Sequence, residues 1–308
     1  MTTPVVIVAD GARTAGLGHI SRSSALAVAL GCHGVEPHCF ARGALEPFER
    51  DGVHWAPLPD DEIPTATGVL VVDSYHLPAE RIAAAGAALL VVMHDHGRPV
   101  QVAALVVAAA AAVSDGSDGT LGGLKYAALR PGFWGLPPRV TADEVQRVLV
   151  TTGSGPFGEL GCEIAAALRD ELGEARIDLL RGPGASFEVP DGVQALDAPA
   201  SLLEPLLAAD LVVTAAGQTM LEAAACGTPA VAVALVENQE RQARRLAEYG
   251  AVLLVEPPLV DAAVAAAVAL AGQRELRQEL SQRAQQAVDG YGALRVAFQI
   301  TRISGFDR

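Results

Sequence analysis

Short apolar runs alternate with helical patterns along the whole chain, and this alternation predicts parallel β-sheets with helices on both faces. The runs predicted as strands in the first half are Val5–Ala9, His38–Ala41, Val69–Asp73, Ala88–Met93 and Leu105–Ala108. Those in the second half are Arg147–Thr151, Arg176–Leu180, Leu211–Thr214, Ala230–Ala234 and Ala251–Val255. The predicted helices are Ile20–Leu30, Ala79–Ala85, Gly161–Leu172, Thr219–Ala225, Gln239–Tyr249 and Arg274–Val288. The predicted fold class is therefore α/β.

A stretch rich in proline and glycine, residues 131–138, separates these two halves and predicts a linker or hinge. We therefore predict two α/β domains, residues 1–138 and 139–308, and leave open whether the last helix packs back on the first domain. Each half opens with a strand and a glycine-bearing turn. Two such domains would face each other across a cleft, where small-molecule sites usually lie.

Composition narrows the class of protein. A net charge of −14 over 308 residues argues against a nucleic-acid partner, because phosphate backbones need a basic face. The longest apolar stretch, of about 12 residues near Val102–Val113, is too short to span a bilayer, and the N-terminus has no signal-peptide pattern. The four scattered cysteines show no metal-binding spacing. We expect a cytoplasmic protein without stable membrane insertion.

The segment from Leu211 to Gln239 carries the strongest chemical signal. An apolar run stops at the glycine turn Ala216–Thr219, and a helical pattern opens at once. Such a turn directs unpaired backbone N–H groups and the positive end of the helix at one point, which suits a phosphate. Glu222 lies where it could accept hydrogen bonds from a ribose diol, and Asn238-Gln239 stands at the exit of the next strand. The alternative is an ordinary βαβ unit with a glycine turn.

The first strand is followed by a second glycine-bearing loop, Gly16-Leu17-Gly18-His19-Ile20-Ser21-Arg22. His19 at the start of a helix could serve as a general base. Alternatively, it only caps the helix or bonds a backbone carbonyl. Dinucleotide binding is disfavoured, because Ser21 replaces the third glycine of the GxGxxG pattern and Arg42 stands where an acidic residue is expected.

Other polar groups arrive where predicted strands end. Asp73-Ser74-Tyr75 and His94-Asp95-His96 are two such groups. A metal site at the second is disfavoured, because alternate residues of an extended segment point to opposite faces and no third ligand is obvious. Arg130 could meet a phosphate or a sugar, although a surface salt bridge is the commoner role. Ser154 lies in a glycine turn that is not a GxSxG nucleophile motif. We expect neither a metal nor a cofactor.

In the order of these motifs the chain resembles the nucleotide-sugar hydrolases of pseudaminic acid biosynthesis, which are related to the spore-coat polysaccharide proteins and more distantly to the peptidoglycan N-acetylglucosaminyltransferases. The resemblance implies a GT-B architecture, with two Rossmann-like domains whose parallel sheets face each other across a cleft and a nucleotide held mainly by the second. It implies that His19 is the catalytic residue. The positions taken as substrate- or nucleotide-binding are Asp10, Gly16, Gly18, Arg22, Asp73, Tyr75, Asp95, Tyr126, Arg130, Gly153, Ser154, Gly217, Gln218, Thr219, Glu222, Asn238 and Gln239.

The implied activity is hydrolysis of a nucleotide sugar, with UDP as the expected leaving group. Water deprotonated by His19 would attack the anomeric carbon with inversion. A GT-B glycosyltransferase with a small acceptor and a non-catalytic nucleotide-sugar binding protein are the two alternatives. The chain departs from the family pattern on the sugar side, at Val8, at His94-Asp95 and at residues 107–111.

Overall fold

The protein consists of two compact units. The computed structural model describes residues 4–11, 17–94, 103–153, 156–182, 187–197, 199, 201–257 and 259–305, with only the backbone of Asn238. Unit 1 comprises Met1–Trp134 with Gly290–Arg308, and unit 2 comprises Gly135–Asp289. The sequence-based division lay at 138/139; in the structure the C-terminal segment, whose packing was left open, belongs to unit 1.

The described part of unit 1 contains a nine-stranded sheet in the order β3-β4-β2-β1-β5-β6-β7-β9-β8. Its strands are β1 (Val5–Asp10), β2 (His38–Arg42), β3 (Phe48–Arg50), β4 (Val53–Leu58), β5 (Val69–Asp73), β6 (Leu89–Met93), β7 (Leu105–Ala108), β8 (Ser114–Asp115) and β9 (Thr120–Gly122). All neighbours pair in parallel except β3 with β4 and β8 with β9. Its helices are α1 (Gly18–Gly31) and α2 (Ala79–Ala83), with 3-10 turns at Leu124–Tyr126 and Pro131–Phe133.

The β3–β4 hairpin and the strands β8 and β9 were not predicted. Asp51 and Gly52 form the two-residue hairpin loop, with φ values of +52° and +77°. Positive φ at both positions fits the type I′ turn that Asp-Gly favours. The Asp-Gly pair was the available sequence signal, but the short flanking strands lack a clear apolar alternation.

The chain returns to unit 1 through two glycines and forms helix α9 (Gly292–Ser304), which was not predicted. The buried face of α9 packs against α1 and joins the core above the sheet through Val296 and Ile300. A Cβ on Gly292 would lie 2.1 Å from the carbonyl oxygen of Ala127, and one on Gly290 would lie 1.9 Å from that of Phe133. The two close backbone approaches therefore require glycine.

The described part of unit 2 contains a six-stranded parallel sheet in the order β12-β11-β10-β13-β14-β15, the order of a dinucleotide-type Rossmann sheet. Its strands are β10 (Arg147–Thr151), β11 (Arg176–Arg181), β12 (Gln194–Asp197), β13 (Leu211–Ala215), β14 (Ala230–Val233) and β15 (Leu253–Val255). Its helices are α3 (Gly158–Glu171), α4 (Leu203–Ala208), α5 (Gln218–Cys226), α6 (Glu237–Glu248), α7 (Leu259–Ala271) and α8 (Arg274–Ala287). Strand β12 and helices α4 and α7 were not predicted.

Unit 2 is held together partly by a buried arginine on α8. Arg277 is only 1% exposed and donates to the carbonyl oxygen of Leu270 at 3.0 Å, at the end of α7. It also donates to the carbonyl oxygens of Ala142 and Asp143, at 3.0 and 2.9 Å. Burial lowers the pKa of Arg277, but a guanidinium titrates so high that it stays charged. Arg277 thus connects residues 142–143, near the start of unit 2, to helices α7 and α8.

We expect Gly292→Ala to destabilise the protein by about 3 kcal/mol, because the added methyl group would overlap the main chain at Ala127 rather than a movable side chain. Urea-induced unfolding measures the loss. Gly31→Ala is the control, since Gly31 lies in α1 and a methyl group added there would meet no atom within 4 Å. This control should be neutral or stabilising by about 0.5 kcal/mol. Equal effects of the two substitutions would contradict the close-approach argument.

Candidate active site

Three polar side chains meet at the carboxyl ends of neighbouring strands in unit 1. Asp10 ends β1, Arg42 ends β2 and Asp73 ends β5. Asp10 is in register with Arg42, and Ala9 is in register with Asp73. Helix α1 begins close by at Gly18. This sheet edge is where α/β proteins usually bind ligands.

The carboxylate of Asp73 accepts hydrogen bonds from three side chains of α1. His19 Nδ1 and Arg22 Nη2 each lie 2.5 Å from Oδ1, whereas Arg22 Nε lies 2.7 Å and Ser23 Oγ 2.9 Å from Oδ2. Positions 19, 22 and 23 are three and four residues apart, so they share one face of the helix. Two contacts on each oxygen use the lone-pair sites of an ionised carboxylate.

The electrostatics of this cluster favour the charged carboxylate. Asp73 is fully buried, and burial by itself would raise its pKa. The charge of Arg22 and the hydrogen bonds from Arg22 and His19 outweigh burial, so the pKa of Asp73 lies well below its usual range. An ionised carboxylate can only accept, so His19 donates from Nδ1, and Nε2 is the nitrogen that could take a proton from a substrate.

The imidazole of His19 is held on a second side by Tyr75. The two rings meet edge to face, with centroids 4.2 Å apart and planes at 82°. His19 is 3% exposed. The sequence left open that His19 caps the helix or bonds a backbone carbonyl. In the structure its Nδ1 donates to a carboxylate, and the N-cap position of α1 is Leu17.

Asp10 and Arg42 form a second buried ion pair at the same edge. Arg42 Nη1 donates to Asp10 Oδ1 and, at 2.8 Å, to Ser74 Oγ, while Nη2 donates to the carbonyl oxygen of Asp60. Asp10 Oδ2 accepts the backbone N–H of Tyr75 at 2.9 Å. The side chain of Asp10, predicted to bind substrate, is therefore engaged within the protein. Sequence reasoning missed Arg42, because a charged residue at a strand end does not reveal its partner on the next strand.

Three more predicted residues of unit 1 lie at separate places: Arg130 beside the β3–β4 hairpin, Tyr126 in the 3-10 turn after β9, and Gly18 at the start of α1. Arg130 is buried, with Nη1 3.4 Å from Asp51 Oδ1 at the hairpin tip and its guanidinium 5.6 Å from the Phe133 ring centre. Tyr126 is buried beneath the ammonium group of Lys125, 5.0 Å from the ring centre. Gly18 opens α1, and a Cβ there would meet nothing within 4 Å.

In unit 2 the predicted residues gather at the start of α5. Gly217 is the N-cap, and as a glycine it has no side chain with which to cap the helix. Gln239 Oε1 accepts the backbone N–H of Leu235 at 3.0 Å, which orients the amide so that Nε2 lies 3.6 Å from the Cβ position of Gly217. Gln218 and Thr219 are half-buried in the first turn, whereas Glu222 is only 3% exposed.

Several predicted positions stand apart from these groups. Gly153 follows β10 with φ of +80° and open space around its Cβ position. Gly16, Asp95 and Ser154 lie outside the described residues, as does the side chain of Asn238. Within the described ranges, no group of three or more His, Cys, Asp or Glu side chains is arranged to hold a metal ion. No helix in that part of the chain is long and apolar enough to cross a membrane.

Solved structures of similar fold cover nearly the whole chain. Acinetobacter baumannii MurG has a TM-score of 0.64 at 15% sequence identity, over 97% of this chain and 99% of that one. The calicheamicin glycosyltransferase CalG4 has a TM-score of 0.65 at 14% sequence identity, over 99% of both chains. The Streptomyces sp. SF2575 glycosyltransferase SsfS6 has a TM-score of 0.67 at 14% sequence identity, over 98% of this chain and 100% of that one. Its structure was solved with thymidine diphosphate. The chain has the GT-B fold.

The predicted GT-B fold, with two Rossmann-like domains built on parallel sheets, is thus confirmed. No protein-family model and no curated protein matches the chain. The resemblance to the pseudaminic acid hydrolases gains no support, because the similar structures are GT-B glycosyltransferases. At identities this low the likeness establishes the fold and leaves the reaction to be argued from the site.

Removal of the Asp73 charge is expected to destabilise the protein in a pH-dependent way. Because the folded-state pKa of Asp73 is lowered, its ion pairs contribute stability above the unfolded-state value of about 3.9 and lose that contribution as the pH falls further. We expect Asp73→Asn to cost about 3 kcal/mol at pH 7. The difference from the wild type should shrink below about pH 4. Urea unfolding at pH 7 and pH 3 measures both values.

Asp170→Asn is the matched control for this prediction. Asp170 pairs with Arg169 at 2.5 Å, but its side chain is 68% exposed. An exposed pair contributes less than about 1 kcal/mol, so this variant should stay close to the wild type at both pH values. A deficit in Asp73→Asn that is the same at pH 7 and pH 3 would contradict the ionised buried pair.

Proposed function

We propose that the protein is a glycosyltransferase that uses a nucleotide-sugar donor and transfers the sugar to the hydroxyl group of a small acceptor. The observation that carries the proposal is the His19–Asp73 pair, with Nδ1 and Oδ1 2.5 Å apart at the carboxyl edge of the unit 1 sheet. The GT-B fold supports the same class, since CalG4 and SsfS6 are glycosyltransferases of that fold. Hydrolysis, the first expectation from the sequence, becomes the alternative outcome of the test.

His19 acts as the general base in this proposal. Its Nε2 takes the proton of the acceptor hydroxyl as the oxygen attacks the anomeric carbon. Asp73, held ionised by Arg22, fixes the Nδ1–H tautomer and stabilises the imidazolium that forms. The bond from the anomeric carbon to the diphosphate oxygen breaks, its electron pair leaves with the diphosphate, and a single displacement inverts the configuration. The proton on Nε2 then passes to solvent.

The start of α5 holds the leaving diphosphate. The N-terminal end of a helix offers backbone N–H groups and the positive end of the helix dipole, and both favour negative charge there. The Nε2 group of Gln239 adds a donor close to Gly217. Backbone N–H groups fixed in place before the reaction stabilise the charge that grows on the leaving group without further reorganisation.

The two lines of support differ on the nucleobase. The sequence resemblance implies UDP, whereas SsfS6 was solved with thymidine diphosphate. The diphosphate is common to both, and the donor class is therefore a nucleoside-diphosphate sugar with a pyrimidine base. Donors with either base belong in the assay.

The decisive experiment measures nucleoside diphosphate release from UDP- and TDP-sugars in ¹⁸O-labelled water, with and without a panel of small hydroxyl acceptors. We expect release to depend on an acceptor and the sugar to appear in the glycoside without ¹⁸O. Release at a comparable rate without an acceptor, with ¹⁸O on the anomeric carbon, would establish hydrolysis instead.

His19→Ala is expected to lower the turnover by about 10²- to 10⁴-fold, as loss of a general base does. The control is His33→Ala, because His33 is exposed in the turn beyond the far end of α1. This control should retain wild-type turnover. A His19→Ala enzyme within a few-fold of the wild type would rule out the assigned base.

Gly217→Ala tests the diphosphate site separately from folding. A Cβ at Gly217 would meet no atom closer than 3.6 Å, and φ there is −99°, so the protein itself tolerates a methyl group. The methyl group would instead stand in front of the N-terminal amides of α5. We expect unfolding free energy within about 1 kcal/mol of the wild type, but at least about tenfold weaker binding of UDP or TDP by calorimetry, which corresponds to about 1.4 kcal/mol.

Gly272→Ala is the control in the same unit. Gly272 lies after α7, and its Cβ position is 3.8 Å from the nearest atom. Both folding stability and nucleotide affinity should remain those of the wild type. If Gly217→Ala also leaves the affinity unchanged, the diphosphate does not bind at the start of α5.

A further inference from the structure

Arg42 is a buried cation for which the reaction proposed above has no chemical use. It is 4% exposed and lies at the end of β2, in register with the equally buried Asp10. A buried charge is costly unless it is paired and hydrogen-bonded. The two terminal nitrogens of Arg42 meet that condition, because they donate to Asp10, to Ser74 Oγ and to the carbonyl oxygen of Asp60.

These partners connect Arg42 to the turn that follows β5. Ser74 Oγ, which accepts from Arg42 at 2.8 Å, also accepts the backbone N–H groups of His76 and Leu77, both at 3.1 Å. Asp10 Oδ2 accepts the backbone N–H of Tyr75. The Arg42–Asp10 pair therefore fixes the turn through the side chain of Ser74 and the backbone N–H of Tyr75.

The same turn carries both groups that hold His19. Asp73, which binds Nδ1, directly precedes Ser74, and the Tyr75 ring lies edge-on against the imidazole. A shift of this turn would move the hydrogen-bond acceptor of His19 and its ring contact together. No contact between Arg42 and His19 is needed for the effect.

We propose that Arg42, with Asp10, is a positioning residue that sets the orientation and tautomer of His19 through the turn of residues 73–77. The proposal rests on the proposed role of His19 as base. It also gives Asp10 a role other than substrate binding. A guanidinium is required at position 42 because three acceptors in different directions need a planar fork, which a lysine ammonium group on a flexible stem does not supply.

The test compares Arg42→Gln and Arg42→Lys with Arg277→Gln, which removes an equally buried arginine from unit 2. Imidazole nitrogen NMR of the free full-length protein, assigned with His19→Ala, reports the tautomer of His19. We expect the Nδ1–H form in the wild type and in Arg277→Gln. Mixed or exchange-broadened tautomers are expected in both Arg42 variants. Asp10→Asn, which keeps an acceptor for the Tyr75 N–H, provides a further variant should those not fold.

Kinetics supply the second measurement. With a turning-over donor and acceptor, the Arg42 variants should lose about 10- to 100-fold in kcat, because a misplaced base slows the chemical step. The KM for the nucleotide sugar should change less than about threefold, since uniform binding is not altered. A purely structural role would move the unfolding midpoint without changing the His19 spectrum.

The two proposals fail in different ways. An unchanged His19 spectrum in folded Arg42→Gln, or an equal change in Arg277→Gln, would overturn the positioning role even if the wild type is an active transferase. Conversely, a His19 tautomer that responds to Arg42, in a wild type that turns over no nucleotide sugar, would leave the positioning role intact and remove the proposed function.

Discussion

The buried carboxylate of Asp73 is the constraint on which the unit 1 site depends. A carboxylate removed from water must be compensated by charge and hydrogen bonds, and α1 provides both through residues 19, 22 and 23 on one face. This requirement fixes how the first turn of α1 meets the end of β5. It also determines the chemistry, because an ionised acceptor that already binds Arg22 can hold the histidine in one tautomer without taking its proton.

The two units differ in how charge is balanced at their candidate sites. In unit 1 the charges at the sheet edge are neutralised inside the protein, Asp73 by Arg22 and Asp10 by Arg42. In unit 2 the N-cap of α5 is a glycine, Gly217, and the oriented amide of Gln239 lies beside it. In the proposed reaction, the first arrangement would keep His19 in one geometry. The second would bind the diphosphate as an anion and then release it.

The sequence revealed the parallel strands, because a strand buried on both faces must be a continuous apolar run, as in β1, β5 and β13. The ends of the predicted strands also indicated that His19, Asp73 and Tyr75 lie at the same edge of a sheet. The sequence did not reveal the pairing of Arg42 with Asp10, which depends on strand order, or the return of α9, which depends on two backbone approaches at Gly290 and Gly292. Both depend on contacts between residues far apart in the chain, and local patterns do not record these.

The same reasoning explains why the sequence pointed to hydrolysis. A histidine held by a carboxylate removes a proton from water or from an acceptor hydroxyl equally well, so motifs around the base do not distinguish the two reactions. The difference lies in how water is excluded and where an acceptor binds. At position 8, where the chain departs from the family pattern, a valine packs in the core. The guanidinium that pairs with Asp10 is that of Arg42 on β2. The proposed base, His19, is therefore held by this chain's own set of contacts, and the choice of nucleophile has to be measured rather than transferred from a motif.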